Sequence, residues 1–193
     1  MSASDKADET GTYSAAGISN EIRQAEIMSN VARQIYTFRD DNSAAVIEIY
    51  YPYVIVLSQD CDLLRDYEER ANRRSSAVNG ILLYEARPAA EMKQIIPPGR
   101  DVWKAVIQNN HERYHYLEEI PSRSDQSATG IPDLIVDFRR FFTLSPQEIY
   151  RQIEMASMKR RCMLLPPYKE HLQTRAAFYF QRVTLPSPHQ TPG

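Results

Sequence analysis

The chain has 193 residues, with 23 Lys and Arg against 25 Asp and Glu and a formal net charge of −2. That length supports one domain with its own core. The balanced charge excludes an unaided, whole-surface grip on nucleic acid or acidic lipid, so any polyanion site has to be a local patch. Cys61 and Cys162 are too few for a disulfide framework, no apolar run approaches the roughly 20 residues that cross a bilayer, and the N-terminus lacks a secretory pattern. A free-thiol, cytoplasmic protein with no membrane contact is expected.

Residues 1–17 are small and polar and read as a disordered tail, as does the proline-rich stretch 187–193, leaving a single globular domain over 18–186. In "EIRQAEIMSNVARQIY" (21–36) the apolar residues fall at mixed spacings, so periodicity alone does not choose between helix and strand. "AAVIEIYYPYVIVLS" (44–58) is rich in β-branched and aromatic residues and predicts two consecutive strands with a bend or an edge position at Pro52. Asp62 then stands as the N-cap of a helix over 62–74, with carboxylates early and arginines late. A strand follows over 78–88, then a short helix on each side of Pro97-Pro98-Gly99.

"ERYHYLEEI" (112–120) alternates, placing Tyr114 and Tyr116 on one face and Arg113, His115 and Leu117 on the other. A strand over 133–145 leads into a helix that opens on Ser145, Pro146 and Glu148, a capping-box start. "RRCMLL" (160–165) is a short strand. Residues 168–183 form an amphipathic helix whose stripe is Leu172, Ala176, Phe180 or Tyr179, and Val183. Five or six short strands outside βαβ order define an α+β class: a small curved antiparallel sheet or SH3-like barrel with peripheral helices and a C-terminal amphipathic helix.

Three constellations could carry chemistry. Cys61 sits where a strand ends and a helix begins, a position that favours a thiolate, yet Asp60 and Asp62 oppose a further negative charge. It reads as a buried small hydrophobe, part of a metal or substrate site, or a nucleophile. His111 and His115, four apart, would with Asp60, Cys61 or Asp62 offer nitrogen, sulfur and oxygen donors, but the glutamate of the metalloprotease helix is absent and no metal or cofactor is assigned. "VDFRRFF" (136–142) would put Asp137, Arg139 and Phe141 on one strand face and Val136, Phe138, Arg140 and Phe142 on the other, so that one arginine is buried or paired. Lys159, Arg160, Arg161, Arg175 and Arg182, with Tyr168 and Tyr179 for stacking, would extend a basic patch. Phosphate-cradling glycine loops and a GxSxG elbow are missing, which disfavours nucleotide hydrolysis and serine-hydrolase chemistry.

Taken together, "IRQAEIMSNV", "VIVLSQDCDL", "RYHYLEE", "LIVDFRRFFTL" and "LLPPYKEHLQTRAAFYFQRVTLP" resemble a family of small bacterial proteins with an S-Q-x-C-D motif, matched here by Ser58, Gln59, Cys61 and Asp62. The resemblance implies a PemK/MazF-like, SH3-type barrel and a place in a bacterial defence or toxin–antitoxin-like system. MazF-type toxins are dimeric ribonucleases, but their glycine-aspartate-valine opening strand is replaced here by "RQAEIMSNV", so ribonuclease activity does not carry over. Three functions remain open: a protein- or nucleic-acid-interaction module, alone or as a homodimer; a ribonuclease-like enzyme using His115 with arginine and aspartate; and a Cys61/His115 hydrolase. The candidate catalytic residues are Asp62, His115, Arg113 and Cys61, and the candidate binding residues are Gln59, Asp60, Arg139 and Arg175.

Overall fold

A computed structural model describes residues 11–16 and 20–181; the expectations for residues 1–10, 17 and 182–193, Val183 included, lie outside them. Within this range the chain builds β1 (Tyr13–Ala15), β2 (Glu26–Phe38), β3 (Ala44–Val56), α1 (Asp60–Ala71) and β4 (Ile81–Pro88). Then come α2 (Ala89–Ile95), α3 (Arg100–Ile107), β5 (Tyr114–Leu117), β6 (Leu134–Leu144), α4 (Pro146–Glu154), β7 (Lys159–Leu164) and α5 (Tyr168–Phe180). The strands form one antiparallel sheet in the order β1-β7-β2-β3-β4-β6-β5, so the class is α+β on an antiparallel sheet.

The ladder does not close into a barrel, yet the sheet curls until its two ends touch. The hydroxyl of Tyr13, on one edge strand, donates to Glu118 O just beyond the other edge strand at 3.0 Å. Beside it Gln126 N donates to Arg161 O at 2.7 Å, and Arg161 holds Asp125 through two hydrogen bonds of 2.8 and 2.7 Å. The concave side collects Tyr13, Ile27, Ile55, Tyr84, Phe138 and Leu164 into one core, which α5 closes with Leu172 and Ala176. The convex side packs Met28, Val54, Leu83 and Phe142 under α1 and α4 through Leu63 and Ile149. A third, smaller core sets α2 and α3 against Tyr114 and Ile135.

Several expectations are corrected here. Residues 13–15 belong to the sheet rather than to a tail: Tyr13 is apolar enough to fill the concave core, and its strand pairs with Cys162–Leu164. Residues 26–38 form a strand of 13 residues whose apolar spacing is irregular because Asn30 adopts a left-handed conformation (φ 60°). Pro52 takes the edge position that the sequence allows, but it does not split the segment into two strands. β3 runs unbroken through it, because β4 pairs only with Tyr53–Val56 and the missing N–H is not needed. Asn30 and Pro52 face each other in the β2–β3 register, and there the ribbon changes face: Tyr53 packs on the concave core and Tyr51 on the convex one, although two residues apart they should share a side. Beyond that pivot, residues 31–38 and 44–52 continue as a two-stranded arm past the neighbouring strands.

The expected start of α4 is found, with Ser145 Oγ accepting from Glu148 N at 3.2 Å. That of α1 differs, since the helix begins at Asp60 with Gln59 as N-cap residue, and Asp62 lies in the first turn rather than capping it.

Candidate functional site

The most chemically loaded surface lies where β4 and β6 lose register. Tyr84 pairs with Phe141 and Ala86 with Val136, so residues 137–140 bulge opposite the single residue Glu85. A bulge reverses the alternation of side chains. Phe138 therefore points into the concave core, and Phe141, three residues on, meets Tyr84 on the same side at 5.7 Å. Arg139 and Arg140 are both thrown outward, so strict alternation does not hold here, and the expected pairing of one arginine is met by Arg140, which reaches Glu85 and Asp137.

The bulge also buries two carboxylates. Asp137 accepts from Arg113 Nε and Nη2 at 2.8 and 2.6 Å and from the backbone N–H of Arg139 at 3.0 Å. Glu85 takes Arg140 Nη1 at 3.2 Å and Arg87 Nε. Arg87, Arg113, Arg139 and Arg140 thus meet two acidic groups, four charges against two, and the patch stays positive in a chain of net charge −2. Arg139 Nε makes a hydrogen bond to Tyr179 Oη at 3.1 Å and spans to α5. Around it Phe141 and Phe180 are 47% and 54% exposed, and Phe180 stands edge-on to Phe141 at 5.4 Å. A groove of about 270 Å³, lined by Tyr50, Tyr51, Arg87, Arg140 and Phe141 among others, runs from the bulge toward the arm. Fixed guanidinium groups beside open aromatic faces can hold phosphates and stack bases.

The other candidates are placed elsewhere. His115 is 3% exposed, with its ring 5.4 Å from that of His171 on α5 and 6.3 Å from Phe138. Its Nδ1 is sheltered from solvent, with no hydrogen-bond partner among the described residues. Burial, then the neighbouring Arg175 and His171, push the imidazole down to about 3. A neutral ring sealed from solvent cannot exchange protons with a substrate near pH 7, so the general acid–base role expected for His115 is not supported. His111 is not brought alongside it: His111 precedes the strand and lies against Tyr114, 4.9 Å ring to ring, on the face toward α3. Arg113 is committed to Asp137. Arg175 is saturated by Asn109 Oδ1 at 2.9 Å and by the carbonyls of His111 and Tyr114, and so pins α5 onto β5.

The Ser-Gln-Asp-Cys-Asp corner is a structural junction. Ser58 Oγ accepts from Leu82 N at 2.8 Å. Asp60 accepts from Gln24 N at 2.7 Å, Lys169 Nζ at 2.9 Å and Arg23 Nε at 3.2 Å, tying β2, α1 and α5 together. Partial burial raises the Asp60 carboxyl, and these three donors outweigh it and hold it below the usual carboxylate range. Gln59, Cys61 and Asp62 are exposed, and the Cys61 thiol meets Gln59 Oε1 at 3.7 Å rather than a histidine. The expected inward Cys61 and the Cys61–His115 pair are therefore not found, and among the described residues no group of three His, Cys, Asp or Glu side chains could hold a metal ion. Arg160 and Arg161 leave the expected basic patch as well, since they are inward partners of Glu26 and Asp125.

Sequence reasoning found Arg139 but missed Glu85, Arg87 and Phe180. The doubled arginine between phenylalanines in "FRRFF" was the one visible signal, and the register shift that exposes both arginines leaves no mark of its own. No protein-family model matches the chain, and no match to it is found among the curated proteins or the solved structures.

Proposed function

We propose that this protein is a nucleic-acid-interaction module that holds single-stranded RNA or DNA across the β4–β6 bulge without cutting it. The observation that carries this function is the outward turn of Arg139 and Arg140 beside Phe141 and Phe180. Exposed aromatics favour single strands, whose bases are free to stack, over duplexes, whose bases are already paired. The local excess of arginine supplies what the overall charge lacks. The motif resemblance supports a setting in a cytoplasmic bacterial defence or toxin–antitoxin-like system with further protein partners, and the curled sheet with tethered ends suits kinship with an SH3-type barrel.

The test is fluorescence anisotropy with a labelled single-stranded oligonucleotide of about a dozen nucleotides, over a salt series. Affinity should fall steeply with salt, and Arg139→Ala with Arg140→Ala should weaken binding about tenfold or more while lowering the salt slope by roughly 1 to 2. Phe180→Ala should weaken it without changing the slope. Absence of salt-dependent binding at low ionic strength would overturn the proposal, and cleavage of the oligonucleotide would replace it with an enzyme.

A further inference from the structure

The arm built from residues 31–38 and 44–52 is an unusual thing for a monomer to display. Past Asn30 and Pro52 it is a ribbon of two strands with no third strand on either side among the described residues. Isolated two-stranded ribbons are marginal in water and need further strands or a packed face. Near its base one edge is closed: Gln152 on α4 donates to Ala32 O at 2.8 Å and accepts from Ala32 N at 3.0 Å, standing in for a strand. Those bonds point the backbone of Ala32 away from β3, and the register alternates from there.

One face of the ribbon carries Tyr36, Phe38, Val46 and Tyr50, cross-strand neighbours in the pairs Tyr36 with Val46, Phe38 with Ala44 and Ala32 with Tyr50. They are 78%, 73%, 55% and 68% exposed. Aromatic side chains of about 200 Å² each, exposed to this degree, offer with Val46 roughly 500 Å² of mostly apolar area from four residues. A stable interface takes about 800 Å² from each partner, and the backbone and neighbours of this face fill most of the difference. The face carries a single charge, Glu48, whose carboxylate receives the Tyr50 hydroxyl. The acidic tip residues Asp40 and Asp41 lie beyond it, in the turn.

We propose that this face packs on the same face of a second copy of the chain, making a two-fold symmetric dimer through crossed arms. A two-fold contact needs a patch that complements itself, and a nearly uncharged apolar sheet face meets its own copy without setting like charges together. The area available fits a dimer of standard size. The dimer face shares Tyr50 with the groove that holds Arg140, whereas Tyr36 and Phe38 lie outside that groove and Arg139 is bonded to Tyr179 on α5, so separate variants address the two surfaces.

Sedimentation or light scattering of the full chain, free of nucleic acid, tests the proposal. The expected mass at tens of micromolar is about 45 kDa, twice the 22.3 kDa of one copy. Tyr36→Glu with Phe38→Glu should give the single-copy mass with unchanged far-UV circular dichroism, while Phe178→Glu, off the arm, should leave the double mass. Because the double variant could disturb the ribbon, Tyr36→Cys in a Cys61→Ser background provides an independent readout: mild oxidation should link the copies through residue 36. A single-copy mass for the unmodified chain, persistence of the dimer in the double variant, or no link through residue 36 would each overturn it. None of these outcomes depends on whether Arg139 and Arg140 bind an oligonucleotide.

Discussion

His115 shows how far burial moves one group. Its imidazole is held neutral, and folding must exclude the proton that the unfolded chain binds below about pH 6.5. A folded value depressed to about 3 means that the unfolded state carries more protons between those limits, so stability is full above about pH 6.5 and declines as pH falls toward 3. The expected slope is up to about 1.4 kcal/mol per pH unit. Urea midpoints measured between pH 6.5 and 4.5 should fall for the native chain and fall less for His115→Met, and equal slopes would show that the ring is not the source. Asp60 gives the same pH dependence for a different reason: three donors hold its carboxylate below the usual range, so it contributes stability that acid removes, whereas the His115 ring is held neutral by burial. Asp62, two residues on, is exposed and has no such partners among the described residues, so of the two aspartates Asp60 is the structural one.

At the scale of elements, the two departures from regular strand geometry organise the surface. Asn30 tolerates φ 60° because its short polar side chain costs little in the left-handed region, where a β-branched residue is penalised by roughly 1–2 kcal/mol. Asn30→Gly should be neutral or slightly stabilising, and Asn30→Val should lower the urea midpoint by about that energy. A tolerated valine would mean that the turn of the arm is set elsewhere. The same departures decide what could be read beforehand. The strand before α4, the alternation around His115 and the cap at Ser145 follow local rules and were legible. The strand nature of residues 26–38 was not, because Asn30 scrambles its period, and the exposure of both Arg139 and Arg140 was not, because their bulge is defined by a partner strand about fifty residues away in sequence.

The whole molecule is a curled sheet with its ends tied by side chains. Asp125 is the centre of that tie: it receives Arg161 twice and the backbone N–H groups of Ser127, Thr129 and Gly130 at 3.2, 3.1 and 3.0 Å. Burial raises its carboxyl, but Arg161 and these donors hold it at about 2, well under the ordinary value. Asp125→Ala leaves the Arg161 guanidinium buried without its acid and should cost about 3–5 kcal/mol. For a chain of this size that is a fall in melting temperature of roughly 10 °C. Calorimetry that found a shift of only a degree or two would show that the sheet ends are held by their apolar contacts alone.

The seam at Tyr13, Asp125 and Arg161 has a mechanical meaning as well. A closed β-ladder resists pulling because many parallel bonds share the load in shear. Here, among the described residues, the ring is completed by the Tyr13 hydroxyl, the bonds of the Arg161 side chain to Asp125, Thr129 and Gly130, and the Gln126 backbone contact. Force applied across the edges therefore concentrates on a few bonds, and the molecule has a built-in parting line: the seam opens before any strand leaves its neighbour, and the continuous ladder from β7 through β6 survives as one sheet.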